Sequence, residues 1–205
     1  MPGKTDQGAP KRTAHLERKT KETEIRVALT LDGQGKASVS TGIAFLDHMF
    51  TLLAAHGFID LDLKASGDID VDYHHTVEDL GICFGSALNK ALAKRVGLRR
   101  FGEAMVPMDE ALARVVLDLS NRPYLSYNVD AKRCSTGTFD IGLLKEFFRA
   151  ICIHSGMNLH IDLIRGEDPH HISEAIFKAF ARALDMASSL DERRMGMVPS
   201  TKGVL

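Results

Sequence analysis

The chain has 205 residues, 44% hydrophobic and 26% charged, and its 26 basic and 27 acidic side chains leave a net charge of −1. That composition suits one large domain or two small fused ones with a true core, and it gives nucleic-acid binding no electrostatic support. Three cysteines (Cys83, Cys134, Cys152) without a CxxC pair argue against a disulfide framework or a thiolate zinc site and point to a reducing cytosol, and no apolar run nears the roughly 20 residues of a bilayer span.

In chain order, residues 1–12 are polar, contain Gly and Pro, and read as a flexible tail. Glu24 to Leu31 alternates like a strand; the turn Asp32-Gly33-Gln34-Gly35 and the run Lys36 to Ser40 then predict a hairpin. A helix from Phe45 through His56 and a strand from Ile59 to Ala65 follow. After His74-His75, the apolar positions Leu80, Phe84, Ala87 and Leu88 fall on one face of a second helix.

Beyond Gly97 the pattern starts again. Ala111 to Leu119, the turn Ser120-Asn121-Arg122-Pro123 and Tyr124 to Val129 predict a second hairpin. A helix through Leu143 to His154, a strand from Met157 to Ile164, and a helix bearing Ile176, Phe180, Ala183 and Leu184 complete it. The string His74-His75-Thr76-Val77-Glu78 reappears 96 residues later as His170-His171-Ile172-Ser173-Glu174, and His56 reappears 98 residues later as His154. The expectation is an α+β fold of duplicated β-β-α-β-α units with two sheets, each covered by helices. The halves cover 13–97 and 98–190 and form one catalytic domain, with a closing tail at 191–205. Each sheet is expected to keep one free face, through which the halves would pack.

Histidines are the conspicuous feature, nine in all. A single HHxxE string reads equally well as surface or capping residues. Two at matched positions favour metal binding. Adjacent histidines in a strand or extended loop point to opposite sides, so His74 and His75 would serve different ions or two faces of a subunit contact. Glu78 and Glu174 lie one helical turn beyond His74 and His170, and His48 offers a further ligand whose repeat mate is Glu146. Imidazole plus carboxylate without thiolate suits Mn, Fe or Zn in an N/O site and not structural zinc. His15 reads as solvated, His56 and His154 as helix-end residues, and His160 as a strand residue that could be a ligand, a ligand's support or part of the core.

Seven segments together resemble one family. They are Thr20-Lys21-Glu22-Thr23, Phe45-Leu46-Asp47-His48-Met49, His74 to Asp79, Pro107-Met108-Asp109-Glu110, Ser120 to Tyr124, His170 to Lys178 and Pro199 to Gly203. In this order, across about residues 16 to 205, they resemble imidazoleglycerol-phosphate dehydratases. The resemblance implies a ribosomal protein S5 domain 2-like fold, a cytoplasmic enzyme of histidine biosynthesis, and trimers assembled into a 24-subunit shell. It implies two Mn2+ ions per active site, where subunits meet, on His48, His74, His75, Glu78, His170, His171 and Glu174 with position 146; many members carry His there and this chain has Glu146. The implied substrate is a phosphorylated imidazole, with neither nucleic acid nor membrane as partner. The implied reaction removes water from imidazole glycerol phosphate to give imidazole acetol phosphate. The ring, held as imidazolate, expels the neighbouring hydroxyl to a diazafulvene-like intermediate. The resemblance marks Glu22 and Glu174 as the proton-moving candidates, without ranking them. It places Glu22 and His56 beside the substrate and Arg100, Arg122, Lys178, Ser200 and Lys202 on the phosphate side. Two rivals remain at this level. A two-metal phosphoester hydrolase would draw on Asp68, Asp70 and Asp72 before His74, and a metal-storage or metal-sensing module would need none of the cations.

Overall fold

The computed structural model describes residues 12–130 and 134–205; of the proposed tail only Arg12 falls among them. The first half runs β1 (Thr13–Lys19), β2 (Thr23–Thr30), β3 (Ala37–Ser40), α1 (Ala44–Gly57), β4 (Asp60–Gly67) and α2 (His74–Leu92). The second runs β5 (Phe101–Met108), β6 (Ala111–Asp118), β7 (Tyr124–Asn128), a small hairpin β8 (Ser135–Thr136) and β9 (Phe139–Asp140), then α3 (Leu143–Ser155), β10 (Asn158–Arg165) and α4 (Pro169–Ser188). The strand orders are β1-β2-β4-β3 and β5-β6-β10-β7, so the two four-stranded sheets share one topology, to which the second half adds the β8–β9 hairpin. The molecule is an α+β fold with two helix-covered sheets.

Three expectations need correction. First, neither hairpin exists as read. β2 is a central strand, paired antiparallel with β1 on one side and β4 on the other, which leaves no edge for β3. β3 joins β4 in parallel instead, after the α1 crossover, and β7 joins β10 in the same way. Second, the true hairpin partners, β1 and β5, hid in unpromising sequence. β1 is an edge strand with Ala14 as its one buried residue. β5 carries Gly102 and Pro107; Pro is tolerated because the strand is an edge, and Gly102 is required because a Cβ there would strike the Ala183 carbonyl of α4. Each unit is therefore β-β-β-α-β-α.

Third, the halves do not meet through free sheet faces. They meet through their helices, α2 against α3 and α1 against α4. Gly81 and Gly85, one turn apart on α2, let it lie directly on the Phe147 and Ile151 carbonyls of α3. Around that crossing the aromatics interlock: Phe50 sits 5.9 Å from Phe84 and 5.5 Å from Phe147, and Phe147 stacks on Phe177 at 5.7 Å. Such pairs add about 0.5–1.5 kcal/mol each beyond their buried area. Ile25, Val27, Leu29, Leu61 and Leu63 close the first sheet onto this core, and Ala113, Val115, Leu117, Leu159 and Ile161 close the second.

The connector between halves is tightly wound. Ala93, Arg95, Gly97 and Arg100 all have positive φ. Arg95 is 3% exposed and gives its guanidinium to the carbonyls of Leu119 (3.2 Å) and Ser155 (2.5 Å) and to Asn89 Oδ1 (2.8 Å). The segment 191–205 is tied to the same connector by Gly97 N–H to the Met197 carbonyl and Arg100 to the Pro199 carbonyl.

Candidate metal centre

Both HH strings lie in the first turn of a helix, not in extended chain. Asp72 Oδ1 accepts the His74 amide and Asp168 Oδ1 the His170 amide, each at 2.7 Å, and Pro169 opens α4 with the φ that a first turn needs. Neighbouring residues on a helix diverge by about 100°, so the two rings of each pair still point apart. They do so alike: the ring planes stand at 90° in His74–His75 and at 89° in His170–His171.

One trio is closed. Helix α1 brings His48 across to α4, where His170 and Glu174 share a face. His48 Nε2 lies 2.9 Å and His170 Nε2 3.0 Å from Glu174 Oε1, and Lys178 Nζ lies 2.5 Å from Glu174 Oε2. Burial works against ionisation of Glu174, but the bonds from Lys178, His48 and His170 outweigh it and hold the carboxyl at about 2. An ionised carboxylate only accepts, so both facing imidazole nitrogens carry a proton here; a cation would replace those protons. Among the described residues this trio is the one group of three side chains whose donor atoms lie within 4.8 Å of one another. Two nitrogens and a carboxylate oxygen fit a divalent ion of the Mn, Fe or Zn kind.

The repeat mates of this trio, Glu146, His74 and Glu78, stay apart. Glu146 takes Arg149 at 3.2 Å, and His74 and Glu78 are exposed. The remaining two histidines of the HH strings are held by carboxylates. His75 Nδ1 meets Asp68 Oδ2 at 2.9 Å, with Glu22 Oε2 at 3.9 Å; His171 Nδ1 meets Glu110 Oε2 at 2.7 Å. The Asp68 hydrogen bond raises the His75 pKa and the Glu110 hydrogen bond raises that of His171. Both helix starts occupy one end of the molecule, parted by a chain of ring contacts: Tyr73 stacked on Phe139, Phe139 tilted against Phe45, and Phe45 edge-to-face with His170.

The cations fall in two groups. Lys178 is beside the trio, and His56 is near it, its pKa lowered by burial and then by Lys178 and Arg182. Arg100 is at the opposite end, where its amide reaches the Ala187 carbonyl and its guanidinium grips Asp118 at 2.7 Å and 3.0 Å. Arg122, 66% exposed, faces the same Asp118 at 3.8 Å; Ser200 Oγ accepts the Lys202 amide at 3.2 Å, and Lys202 is exposed. Thirteen helical steps lead from Glu174 to Ala187, about 20 Å of rise. Sequence reasoning gave no role to Asp68 as a histidine partner, to Glu110, or to buried Asp79, which binds Thr23 Oγ1 (2.5 Å) and Arg18 (3.0 Å). Only the sequence distance from one histidine string to each carboxylate was visible, and that carries no contact information.

A family model described as imidazoleglycerol-phosphate dehydratase matches residues 41–184. The chain is 56% identical to the imidazoleglycerol-phosphate dehydratase of Syntrophobacter fumaroxidans over 197 residues, covering 96% of this chain and all of that one. The chain belongs to the imidazoleglycerol-phosphate dehydratase family. The Bordetella pertussis dehydratase is 55% identical over 194 residues, covering 95% of this chain and 100% of its own. Two crystal structures of dehydratases superpose closely. The Staphylococcus aureus protein has a TM-score of 0.79 at 41% identity, over 87% of this chain and 99% of that one. The Pyrococcus furiosus protein, solved with (S)-C348, has 0.80 at 39%, over 93% and 100%. As a family member the chain is a hydro-lyase of histidine biosynthesis. No helix among the described residues is long and apolar enough to cross a membrane.

Proposed function

We propose that this dehydratase converts imidazole glycerol phosphate to imidazole acetol phosphate in the cytoplasm, with Mn2+ ions on its histidine–carboxylate ligands and an active site completed by neighbouring copies of the chain. The observation that carries this reading is the convergence of His48 and His170 on Glu174. Bound ions would supply Lewis-acid polarisation and favour the deprotonated imidazole of the substrate. His48, His170 and Glu174 would hold one such ion, and the second set, His74, Glu78 and Glu146, would close only when a neighbour supplies what one chain leaves open. His75 and His171 each have Nδ1 occupied by a carboxylate, and Nε2 makes no hydrogen bond among the described residues, although Asp109 Oδ2 stands 3.7 Å from that of His171; Nε2 is thus the nitrogen open to an ion.

Two proton movements are needed: one proton leaves a carbon of the substrate chain and one joins the departing hydroxyl. Glu174 is engaged by three partners, whereas the Glu22 carboxylate makes no hydrogen bond among the described residues and stands 3.9 Å from His75. That favours Glu22 for moving the carbon-bound proton and Glu174 for holding the ion. Arg122 and Lys202 are free enough to receive the phosphate, with Lys178, Ser200 and Arg100 completing the candidate set. Roughly 20 Å of helix separates the trio from Arg100, far more than a three-carbon phosphate side chain spans. Lys178 lies beside the trio, but Arg100 and Arg122 of the same chain cannot meet the trio on one substrate, which supports shared sites and, by family resemblance, trimers built into a 24-subunit shell.

The test pairs turnover with particle size across a Mn2+ titration of chelator-stripped protein, with a generic phosphoester as control substrate. Activity on imidazole glycerol phosphate should appear together with a large particle and about two ions per chain. A fully active monomer would sink the shared site. Phosphoester hydrolysis in place of dehydration would sink the substrate assignment.

A further inference from the structure

Glu22 and Glu110 occupy equivalent places. Each immediately precedes the second strand of its half, Thr23–Thr30 and Ala111–Asp118, and each lies beside the second histidine of its HH pair. Their contacts differ. Glu110 is closed on His171 Nδ1 at 2.7 Å, whereas Glu22 stands 3.9 Å from His75 Nδ1. In the first half another carboxylate, Asp68, fills the gap at 2.9 Å.

We propose that Glu110 and Asp68 are positioning residues, one per half, that grip Nδ1 of His171 and His75 and thereby aim the opposite ring nitrogen at a metal ion, and that Asp68 frees Glu22 for chemistry. The inference rests on the metal reading above.

Both carboxylates are themselves anchored. Glu110 Oε1 accepts the amides of Glu167 (3.2 Å) and Asp168 (2.9 Å), and Asp168 is the residue that caps α4. The turn between β5 and β6, the cap of the ligand-bearing helix and the His171 ring are thus locked by one side chain. Asp68 is anchored through its backbone, whose N–H reaches the Glu22 carbonyl at 3.1 Å. Its Oδ2 serves His75, and Oδ1 is buried without a hydrogen-bond partner among the described residues. Among the described residues His75 is therefore the one side chain that hydrogen-bonds this carboxylate, a reason for the two to stay together. An imidazole whose Nδ1–H is fixed in this way has its tautomer and rotation set, and presents an Nε2 lone pair outward. Asp68 has no carboxylate mate in the second half, where the corresponding positions at and just after the end of β10 are Ile164, Arg165 and Gly166. The same task is done from two different places in the two halves, which would not arise by repetition alone.

Mn2+ binding to the full chain, followed by electron paramagnetic resonance, tests this apart from turnover. Asp68→Ala and Glu110→Ala should each weaken Mn2+ binding about 10- to 100-fold, with Glu110→Asp losing less. Asp70→Ala, an exposed neighbour, should leave it unchanged. Because Glu110 also holds a loop, the deciding measurement is a double-mutant cycle: Glu110→Ala should add almost nothing to the loss caused by His171→Ala, and Asp68→Ala almost nothing to that of His75→Ala. Additive losses, or affinities within twofold of the parent, would overturn the proposal. A parent chain that binds no Mn2+ would overturn the metal reading itself.

Discussion

Arg95 offers the sharpest test of how the two halves are joined. Its guanidinium is buried, no carboxylate lies within ion-pair distance among the described residues, and burial lowers its pKa while Asp118 acts the other way from a distance. Of its three acceptors, Asn89 is exposed and would rehydrate if the arginine were lost. The carbonyls of Leu119 and Ser155 belong to residues at or below 1% exposure and would not. Each buried carbonyl left without a donor costs about 1–3 kcal/mol, so Arg95→Met should lose roughly 2–6 kcal/mol in gross terms. Relief from a desolvated charge returns part of that, leaving about 2–4 kcal/mol net. For a domain of this size that is a fall of roughly 4–16 °C in the melting midpoint. Arg95→Lys, with one donor centre in place of a fork, should fall between. The assay is urea unfolding by circular dichroism, in chelator and at fixed protein concentration so that assembly does not contribute. An Arg95→Met protein as stable as the parent, or more so, would refute the account, because the guanidinium's burial would then outweigh its bonds.

Acid should weaken the metal-free protein through Glu174 and Glu110. Both have folded pKa values of about 2, below the ordinary value of roughly 4.3; a depressed carboxyl contributes stability above its unfolded pKa and loses it as pH falls through the folded one. Melting midpoints should therefore drop between about pH 5 and pH 2, with a shallower slope in Glu174→Gln, and an unchanged slope would remove Glu174 from the explanation. Arg122→Ala should raise KM about 10- to 150-fold for a lost charge-assisted contact of about 1.5–3 kcal/mol, with bound metal unchanged. Arg100→Ala should lower thermal stability as well, because Arg100 also braces Asp118 and the Pro199 carbonyl. Loss of metal from Arg122→Ala, or equal stability of Arg100→Ala and parent, would contradict these roles.

The helices, β4, β10 and the duplication were legible because periodicity and repeated strings report local geometry. Strand pairing was not. Asp32-Gly33-Gln34-Gly35 has turn chemistry, yet β4 displaces β3 from β2, and that choice is made by α1 packing between strands distant in sequence. β1 and β5 were missed for a related reason: an edge strand with one buried alanine, or one whose inner face must be Gly, has no hydrophobic alternation to read. At the site, the second HHxxE string supplied His170 and Glu174, which the fold brings together with His48, whereas His74 and Glu78 of the first string stay apart. The HH pairs, expected in extended chain, lie in the first helical turns, since α2 begins at His74 and α4 at Pro169, with Asp72 and Asp168 accepting the His74 and His170 amides. The braces Asp68 and Glu110 came from separate elements, and only tertiary structure brings them to the rings.

The helix-to-helix junction bears on ancestry as well as stability. A single half, expressed alone, would leave the faces carrying Phe50, Gly81 and Phe84 in water, an area of apolar surface that a polypeptide of half this length has nothing else to cover. The self-complementary partner available to it is a second copy of itself, related by a two-fold axis through that junction. Fusing two such copies into one gene relaxes a constraint that symmetry imposes: every substitution no longer has to be acceptable in two places at once. The chain records the use of that freedom. Position 48 is histidine where 146 is glutamate, one turn carboxylate closes on its imidazole where the other stands open, and one half alone carries the β8–β9 hairpin whose Phe139 parts the two histidine pairs.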